Sequence, residues 1–283
     1  MVNALGRRQL IIFVFGAFAI SWGAELPMIL APRVIPITSL RGLELLFVAS
    51  ISPSLMAIIL TGVHDRAAGL RRLFAQVIRW RARPVYYVVA LALPTGLSLL
   101  AQAAPGLWGG TSPALFIPSP NPWAPTVSPA GEELGWRGYA LPRLQSAFQA
   151  VGASLVLGAI WALWHAPQWL IPGARITLFP LFFVRILAES VFLTWLFNNT
   201  GRSLLIAILA HMGMNLSVVR LVPFQQGNLS VQAIYMLLFC AVAALIVWRT
   251  NRATLSFDRR PPLSLVIDGG TGTDHAARDA SSA

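Results

Sequence analysis

Residues 177–197 read TLFPLFFVRILAESVFLTWLF, a run in which only Arg185 and Glu189 carry a charge. A helix that crosses the hydrocarbon core of a bilayer needs about 20 mostly apolar residues, so the run predicts a membrane-spanning helix. Arg185 and Glu189 are four positions apart, which places both on one face of that helix. We therefore expect them to neutralise each other as a structural pair.

Similar apolar runs occupy most of the 283 residues. The chain is 56% apolar and 11% charged, and its mean hydropathy is +0.67, which excludes an ordinary soluble globule. We expect an all-α fold, a polytopic membrane helix bundle of about eight transmembrane helices around a polar intramembrane cavity. The predicted spans are 10–30, 43–63, 84–104, 126–142, 151–172, 177–197, 203–221 and 231–248.

The basic residues indicate the orientation of the bundle. All 21 of them are arginine, and most lie in short segments between apolar runs, as topology anchors do, so we expect no nucleic-acid partner. Fifteen belong to the loops and termini on one side of the membrane and four to the opposite side. The positive-inside rule therefore predicts a multi-pass protein of the cell membrane with both termini in the cytoplasm.

The chain divides into two parts by composition. Residues 1–249 form the predicted transmembrane helical domain, and the polar composition of residues 250–283 predicts a disordered cytoplasmic tail. Within the first part, leucines and arginines interleave over residues 65–83, which predicts a basic amphipathic helix on the membrane surface. The single cysteine, Cys240, excludes a disulfide framework and a cysteine-based zinc site.

Charged side chains inside a span cost at least about 2.5 kcal/mol each on insertion scales, so they point to function unless they are paired or near an end. Glu25 and Glu44 lie near the ends of the first two spans. A carboxylate there can reach water or, for these two, meet Arg41. We therefore expect neither glutamate to have a functional role.

The segment Gly131-Glu132-Glu133-Leu134-Gly135-Trp136-Arg137-Gly138-Tyr139 is different, because two carboxylates and a guanidinium lie within six residues. Adjacent helical residues diverge by about 100 degrees, so Glu132 and Glu133 cannot point the same way. Glu133 and Arg137 have the spacing of an ion pair, which leaves Glu132 free to face a cavity.

Two further segments place polar groups four residues apart in apolar surroundings. Trp161 precedes His165, with Pro167 just beyond to bend the helix, and His211 precedes Asn215. Counted along the helices, Glu132, both histidines and Asn215 lie at similar depths, nearer the non-cytoplasmic face. A base and several hydrogen-bond donors in one layer are typical of water-mediated bond cleavage.

The three motifs together resemble the CAAX protease and bacteriocin-processing (CPBP, or Abi) family of intramembrane proteases, and residues 135–144 also look like those of bacterial members. The order and spacing of Glu-Glu-x-x-x-Arg at 132–137, aromatic-x-x-x-His at 161–165 and His-x-x-x-Asn at 211–215 all match. The family core would cover about residues 120–220. Trp161 stands where the family more often has phenylalanine.

The resemblance implies an intramembrane endopeptidase with an active-site cavity in the bilayer. Glu132 and His165 would activate the hydrolytic water, and His211 and Asn215 would stabilise the oxyanion. Supporting residues would be Glu133, Arg137 and Trp161. The implied partners are the lipid bilayer and a membrane-associated CAAX-type or bacteriocin-like peptide or protein substrate.

The sequence is compatible with a zinc-dependent reaction and with a metal-free one. Glu132, His165 and His211 match a His-His-Glu zinc set, which would lower the pKa of a bound water, although the chain has no HExxH motif. We favour a metal-free reaction because a glutamate and a histidine already supply an acid/base pair.

Other functional classes use the same residues. An ion-coupled transporter would carry protons on the same carboxylates and imidazoles, and a non-catalytic scaffold or bacteriocin-immunity protein would bind a partner. The predicted topology conflicts with the resemblance. Relatives that trim prenylated tails act from the cytosol, whereas the predicted polar layer lies nearer the non-cytoplasmic face. Either the cavity reaches across the membrane, or the topology is reversed, or the substrate is not a cytosolic tail.

Overall fold

The computed structural model describes residues 4–108, 124–220 and 228–257. These residues form an all-α bundle without a named strand, which confirms the predicted fold class. A π-helical segment, Leu134–Ala140, joins the fourth and fifth helices. The eight α-helices of the described residues are α1 (Ala4–Leu30), α2 (Leu40–Ala75), α3 (Pro84–Ala103), α4 (Ala124–Glu133), α5 (Leu141–Trp164), α6 (Phe179–Asn199), α7 (Leu204–Arg220) and α8 (Leu229–Arg249).

The helices have the length and composition of a multi-pass membrane protein. Six helical stretches of the described residues are long and apolar enough to cross a bilayer, and Leu204–Ser217 of α7 is a shorter apolar helix. One of the six, Thr126–Trp164, holds two of the predicted spans. Gln149 divides it, since its φ of 58° and ψ of −176° are not helical. The eight predicted segments therefore all correspond to helices.

The fifth predicted span is too long at its C-terminal end. We expected a helix over 151–172 that bends near Pro167, but α5 ends at Trp164, and a 3₁₀ turn covers Ala166–Trp169. Proline at 167 lacks an amide hydrogen and disfavours helical geometry at the residue before it. His165 is consequently the C-cap of α5 and not a residue of its interior.

The predicted surface helix over 65–83 is also shorter than expected. Arg66 interrupts α2 with a φ of 53°, and the helix then continues only to Ala75. A turn and an extended segment lead from there to Pro84. Leu73 of this region is buried while Phe74 is exposed, so one side of the short helix packs on the bundle.

The π-helical segment packs directly on α2. A Cβ on Gly135 would lie 2.4 Å from the carbonyl carbon of Pro53, and one on Gly131 would lie 3.0 Å from the carbonyl oxygen of Ser50. Only glycine at position 135 allows this approach, whereas a Cβ at position 131 would require its neighbours to give by a few tenths of an ångström. This contact fixes the depth at which the residues between Gly131 and Gly135 are held.

Aromatic side chains fix the same segment against α1 and α5. Trp136 is fully buried, and its ring lies 5.6 Å from that of Phe13 and 5.9 Å from that of Trp164, edge to face in both cases. The Tyr139 ring also contacts Phe13, with 5.1 Å between centroids and 30° between the ring planes. The segment that follows Glu132 and Glu133 in the chain is therefore held in place by contacts between aromatic rings.

The chain remains ordered for a short distance after α8. Residues 250–257 form a turn, in which the side chain of Asn198 donates to the carbonyl oxygen of Thr254, and the backbone amide of Ala150 donates to that of Ala253. The predicted disordered tail is therefore wrong for residues 250–257. Residues 258–283 lie outside the described part of the chain.

We predict that replacing Gly135 by alanine lowers the thermal unfolding temperature of the detergent-solubilised protein. The added methyl group overlaps the Pro53 backbone, and overpacking of this kind costs about 1 to 3 kcal/mol. Gly23→Ala is the matched control, because Gly23 is exposed and nothing lies within 4 Å of a Cβ built there. Equal unfolding temperatures for both variants would contradict the close packing of α2 on the π-helical segment.

Candidate active site

Three elements bring their ionisable side chains together in the interior of the bundle. The carboxylate of Glu133 accepts a hydrogen bond from Arg137 Nη1, with 2.8 Å between nitrogen and Oε1. The same oxygen lies 2.8 Å from Nδ1 of His211 on α7. All three side chains are buried. The predicted Glu133–Arg137 ion pair is confirmed, and His211 is a partner that the sequence spacing did not reveal.

Trp161 lies at the centre of this cluster. Its indole Nε1 donates to Oε2 of Glu132 over 2.9 Å, and its ring lies 4.6 Å from the guanidinium carbon of Arg137. The His211 ring meets the indole edge to face, with 5.0 Å between centroids. We expected a free carboxylate at Glu132, but it is hydrogen-bonded and only 3% exposed.

The tryptophan at position 161, where the family that the motifs resemble more often has phenylalanine, has a chemical consequence. A phenylalanine ring can stack on Arg137 as well, but it has no N–H to offer to Glu132. The tryptophan therefore adds an orienting hydrogen bond that the aromatic-x-x-x-His pattern alone does not predict.

His165 lies beside the cluster at the end of α5. Its Nδ1 is 2.9 Å from the carbonyl oxygen of Trp161. Because a carbonyl only accepts, Nδ1 carries the hydrogen, and Nε2 of the neutral ring is left with a free lone pair. The rings of Trp164 and Phe182 pack edge to face against the imidazole at 4.7 and 5.4 Å and hold its orientation.

Asn215 is one helical turn beyond His211 and reaches the start of α4. Its Nδ2 donates to the hydroxyl of Ser128 over 3.3 Å. Ser128 was not among the predicted site residues. The signal that could have found it is its spacing of four from Glu132, which places both on one face of α4.

Glu25 differs from its prediction. It is fully buried in α1, where Gln168 donates to its Oε1 over 2.9 Å, so it does not reach water at the end of a span. It lies within electrostatic range of Glu132. Glu44 is exposed, as expected. The two residues have the same sequence signal, and only the packing of α1 on its neighbours distinguishes them.

The pair on α6 is confirmed. Arg185 donates to Glu189, and both side chains are buried. The guanidinium also lies over the rings of Phe182 and Tyr235, at 5.3 and 5.6 Å from their centroids. Such cation–π contacts are strong where water is excluded. The pair thus links α6 to α8 through Tyr235.

The described residues contain no preformed zinc site. Within the described ranges, no three side chains of histidine, cysteine, aspartate or glutamate come together as a metal-binding group. Glu132 is hydrogen-bonded to Trp161 Nε1, and the Nδ1 atoms of His165 and His211 lie at the Trp161 carbonyl and at Glu133. These contacts do not use the Nε2 atom of either histidine.

The segment that matches a known protein family contains the residues that meet in the candidate site. Residues 122–217 match the family described as Type II CAAX prenyl endopeptidase Rce1-like. This match agrees with the CPBP resemblance of the three motifs. The segment closely matches the predicted core of 120–220 and contains every residue of the three motifs, from Glu132 to Asn215.

One curated relative supports the CPBP assignment. The chain is 34% identical over 125 residues to "CAAX prenyl protease 2" of Methanococcus maripaludis. The alignment covers 41% of this chain and 45% of that protein, so the chain spans less than half of the relative's length. The relative is archaeal, whereas the motifs alone resembled bacterial members.

We predict that Glu133→Gln strongly destabilises the fold. The isosteric change leaves Arg137 and His211 buried without their carboxylate, and breaking a buried ion pair costs about 3 to 5 kcal/mol. Thermal unfolding in detergent measures the effect, with the exposed Glu44→Gln as the matched control.

A second variant separates charge from shape at this position. Removing both charges with Glu133→Gln and Arg137→Met should recover part of the loss, because no guanidinium then remains buried unpaired. An unfolding temperature of Glu133→Gln equal to that of Glu44→Gln would show that the ion pair does not hold the helices together.

Proposed function

We propose that the protein is an intramembrane endopeptidase that hydrolyses a peptide bond in a membrane-associated, CAAX-type or bacteriocin-like peptide or protein. The observation that carries the proposal is the convergence of Glu132, His165 and His211 on Trp161 inside the family-matched segment. Burying two carboxylates, a guanidinium and two imidazoles in an apolar bundle costs free energy, and a structural clamp between helices needs fewer such groups.

Glu132 is the proposed general base. Its carboxylate accepts a proton from a water molecule as the water oxygen attacks the carbonyl carbon of the scissile bond. The hydrogen bond from Trp161 holds Oε2, so the carboxylate keeps one orientation during the transfer. The lone pair on Nε2 of His165 accepts the second hydrogen of the water and orients its oxygen.

His211 and Asn215 are the proposed oxyanion donors. Protonated His211 would donate from Nε2 to the negative oxygen of the tetrahedral intermediate, while Nδ1 remains bonded to Glu133. Asn215 uses one amide hydrogen on Ser128 and has a second for the same oxygen. The proton held by Glu132 then passes to the amide nitrogen, the C–N bond breaks, and the second hydrogen of the water is transferred to the new amine, so that a carboxylate and an ammonium group leave.

Glu133 and Arg137 have a supporting role in this scheme. Glu133 holds the position of His211 through Nδ1, and Arg137 balances the second carboxylate and stacks on Trp161. With His211 protonated, the four side chains Glu132, Glu133, Arg137 and His211 carry no net charge. A neutral cluster has a lower cost in a medium of low dielectric constant.

The cell membrane, with both termini in the cytoplasm, is the proposed location. The arginine-rich loops support it: the connection from α2 to α3 meets the turn from α6 to α7, where Arg79 donates to the carbonyl of Gly201. His165, at the C-terminal end of α5, lies toward the opposite end of the bundle. A substrate that reaches the site from the non-cytoplasmic half of the membrane is consistent with this placement.

We predict that Glu132→Gln lowers peptide cleavage by about a hundredfold or more, because the amide cannot accept the proton from water. The measurement uses purified protein in detergent with quenched-fluorescence peptides, among them prenylated and unprenylated CAAX-type sequences. Glu44→Gln is the matched control and should cleave like wild type.

Two outcomes of the same assay oppose the proposal. Cleavage by folded Glu132→Gln at the wild-type rate would remove Glu132 from the mechanism, and loss of wild-type activity with a metal chelator would replace the metal-free scheme with a metal-dependent one. A folded wild type that binds peptides without cleaving any of them would favour the non-catalytic scaffold.

We predict that Trp161→Phe lowers kcat by about tenfold to a hundredfold with little change in KM. The variant keeps a ring on Arg137 but removes the donor to Glu132, and a hydrogen bond to a charged group is worth about 1.5 to 3 kcal/mol. Trp136→Phe is the matched control, because the Trp136 indole N–H has no hydrogen-bond partner in the described structure. Equal kcat values for the two variants would contradict the orienting role of Trp161.

A further inference from the structure

A second polar feature lies at the arginine-rich end of the bundle, away from the candidate active site. An open groove of about 640 Å³ runs between the connection from α2 to α3 and the turn from α6 to α7. Arg79, Arg81 and Arg83 line one side, and Thr200 and Gly201 line the other. The peptidase scheme uses none of these residues.

Three contacts hold the walls of the groove together. Arg79 donates from its guanidinium to the carbonyl of Gly201, and the Ser203 hydroxyl donates to the carbonyl of Arg79 over 2.5 Å. The amide of Leu204 donates to the carbonyl of Gln76 over 2.9 Å. The groove is therefore a formed part of the fold and not a gap between independent loops.

The groove concentrates positive charge without a matching carboxylate. No aspartate or glutamate is among its lining residues in the described chain. Arg202 adjoins it, and burial together with the neighbouring Arg79 guanidinium lowers the pKa of Arg202. Like charges held this close are stabilised by an anion between them.

Two helices add to the same field. α3 begins at Pro84, directly after Arg83, and α7 begins at Leu204, three residues after Gly201. The amide ends of both helices carry partial positive charge. The best geometric match for several guanidiniums is a phosphate group, since each planar fork can bind two of its oxygens.

The surroundings of the groove indicate the source of that phosphate. Trp80 lines the groove and is 64% exposed, and its ring lies 5.6 Å from the guanidinium carbon of Arg81. Exposed tryptophans with neighbouring arginines mark the level of lipid headgroups in membrane proteins. Trp248 at the end of α8 is a second exposed indole with an arginine, Arg249, over its ring.

We propose that this groove binds the phosphate of an anionic membrane phospholipid, with Arg81 and Arg83 as its principal ligands. Arg79 has the different task of closing the groove, because its guanidinium is bonded to Gly201. The acyl chains would follow the exposed apolar surface of α3, formed by Val85, Val88 and Leu91, into the bilayer. The proposal is independent of the peptidase activity.

The test measures the shift in thermal unfolding temperature of the full chain in detergent as phosphatidylglycerol is added. Phosphatidylcholine and inorganic phosphate serve as separate arms. We expect phosphatidylglycerol alone to stabilise the wild type, with an apparent affinity about fivefold weaker in each of Arg81→Gln and Arg83→Gln and about thirtyfold weaker in the double variant. Arg71→Gln is the matched control, because it is an exposed arginine of the same region that does not line the groove.

Several outcomes would overturn the proposal. Equal weakening by Arg71→Gln would show a diffuse charge effect, and equal stabilisation by inorganic phosphate would identify a free anion as the ligand. Stabilisation by phosphatidylcholine would remove the requirement for negative charge. If the double variant unfolds without lipid, Ala82→Glu, which places a carboxylate in the groove, must lose the phosphatidylglycerol shift instead.

Discussion

The buried carboxylate of Glu133 is the interaction on which the interior of the bundle depends. One of its oxygens meets Arg137 and His211, each at 2.8 Å, and thereby joins the π-helical segment to α7. In a low-dielectric interior such a group is stabilising only while its partners remain in place. Arg137 in turn lies over Trp161. Glu133 thus contacts His211 directly and is connected to His165 through Arg137 and Trp161. These contacts hold residues from distant segments in one polar layer.

Much of this layer could be predicted from spacing, because i and i+4 residues share a helical face whatever the helix packs against. That rule gave the Glu133–Arg137 pair and placed His165 and His211 on defined faces. It could not give contacts between helices. The bond between Trp161 and Glu132 joins residues 29 positions apart. The burial of Glu25 likewise depends on where α1 packs. Both follow from tertiary packing, which a single sequence does not encode locally.

The ends of helices were the second source of error, and for a related reason. Apolar composition continues past Trp164, so hydropathy alone carries the span through that position. Backbone geometry stops it, because Pro167 ends α5. The shortened helix places His165 at a cap, where a 3₁₀ turn brings Gln168 back towards Glu25. The deviation from a regular span is thus what assembles this side of the site.

The placement of the charged pairs bears on how the chain enters the membrane. Glu133 and Arg137 lie on one continuous helical segment, and Arg185 and Glu189 lie on one helix, so each acid carries its own counter-ion before any other helix has arrived. A nascent segment with an internal pair avoids most of the cost of partitioning two separate charges into lipid. His211, which has no such partner on its own helix, meets Glu133 only when the helices associate. The polar centre therefore requires α7 to pack on the segment that carries Glu133, whereas the two ion pairs do not.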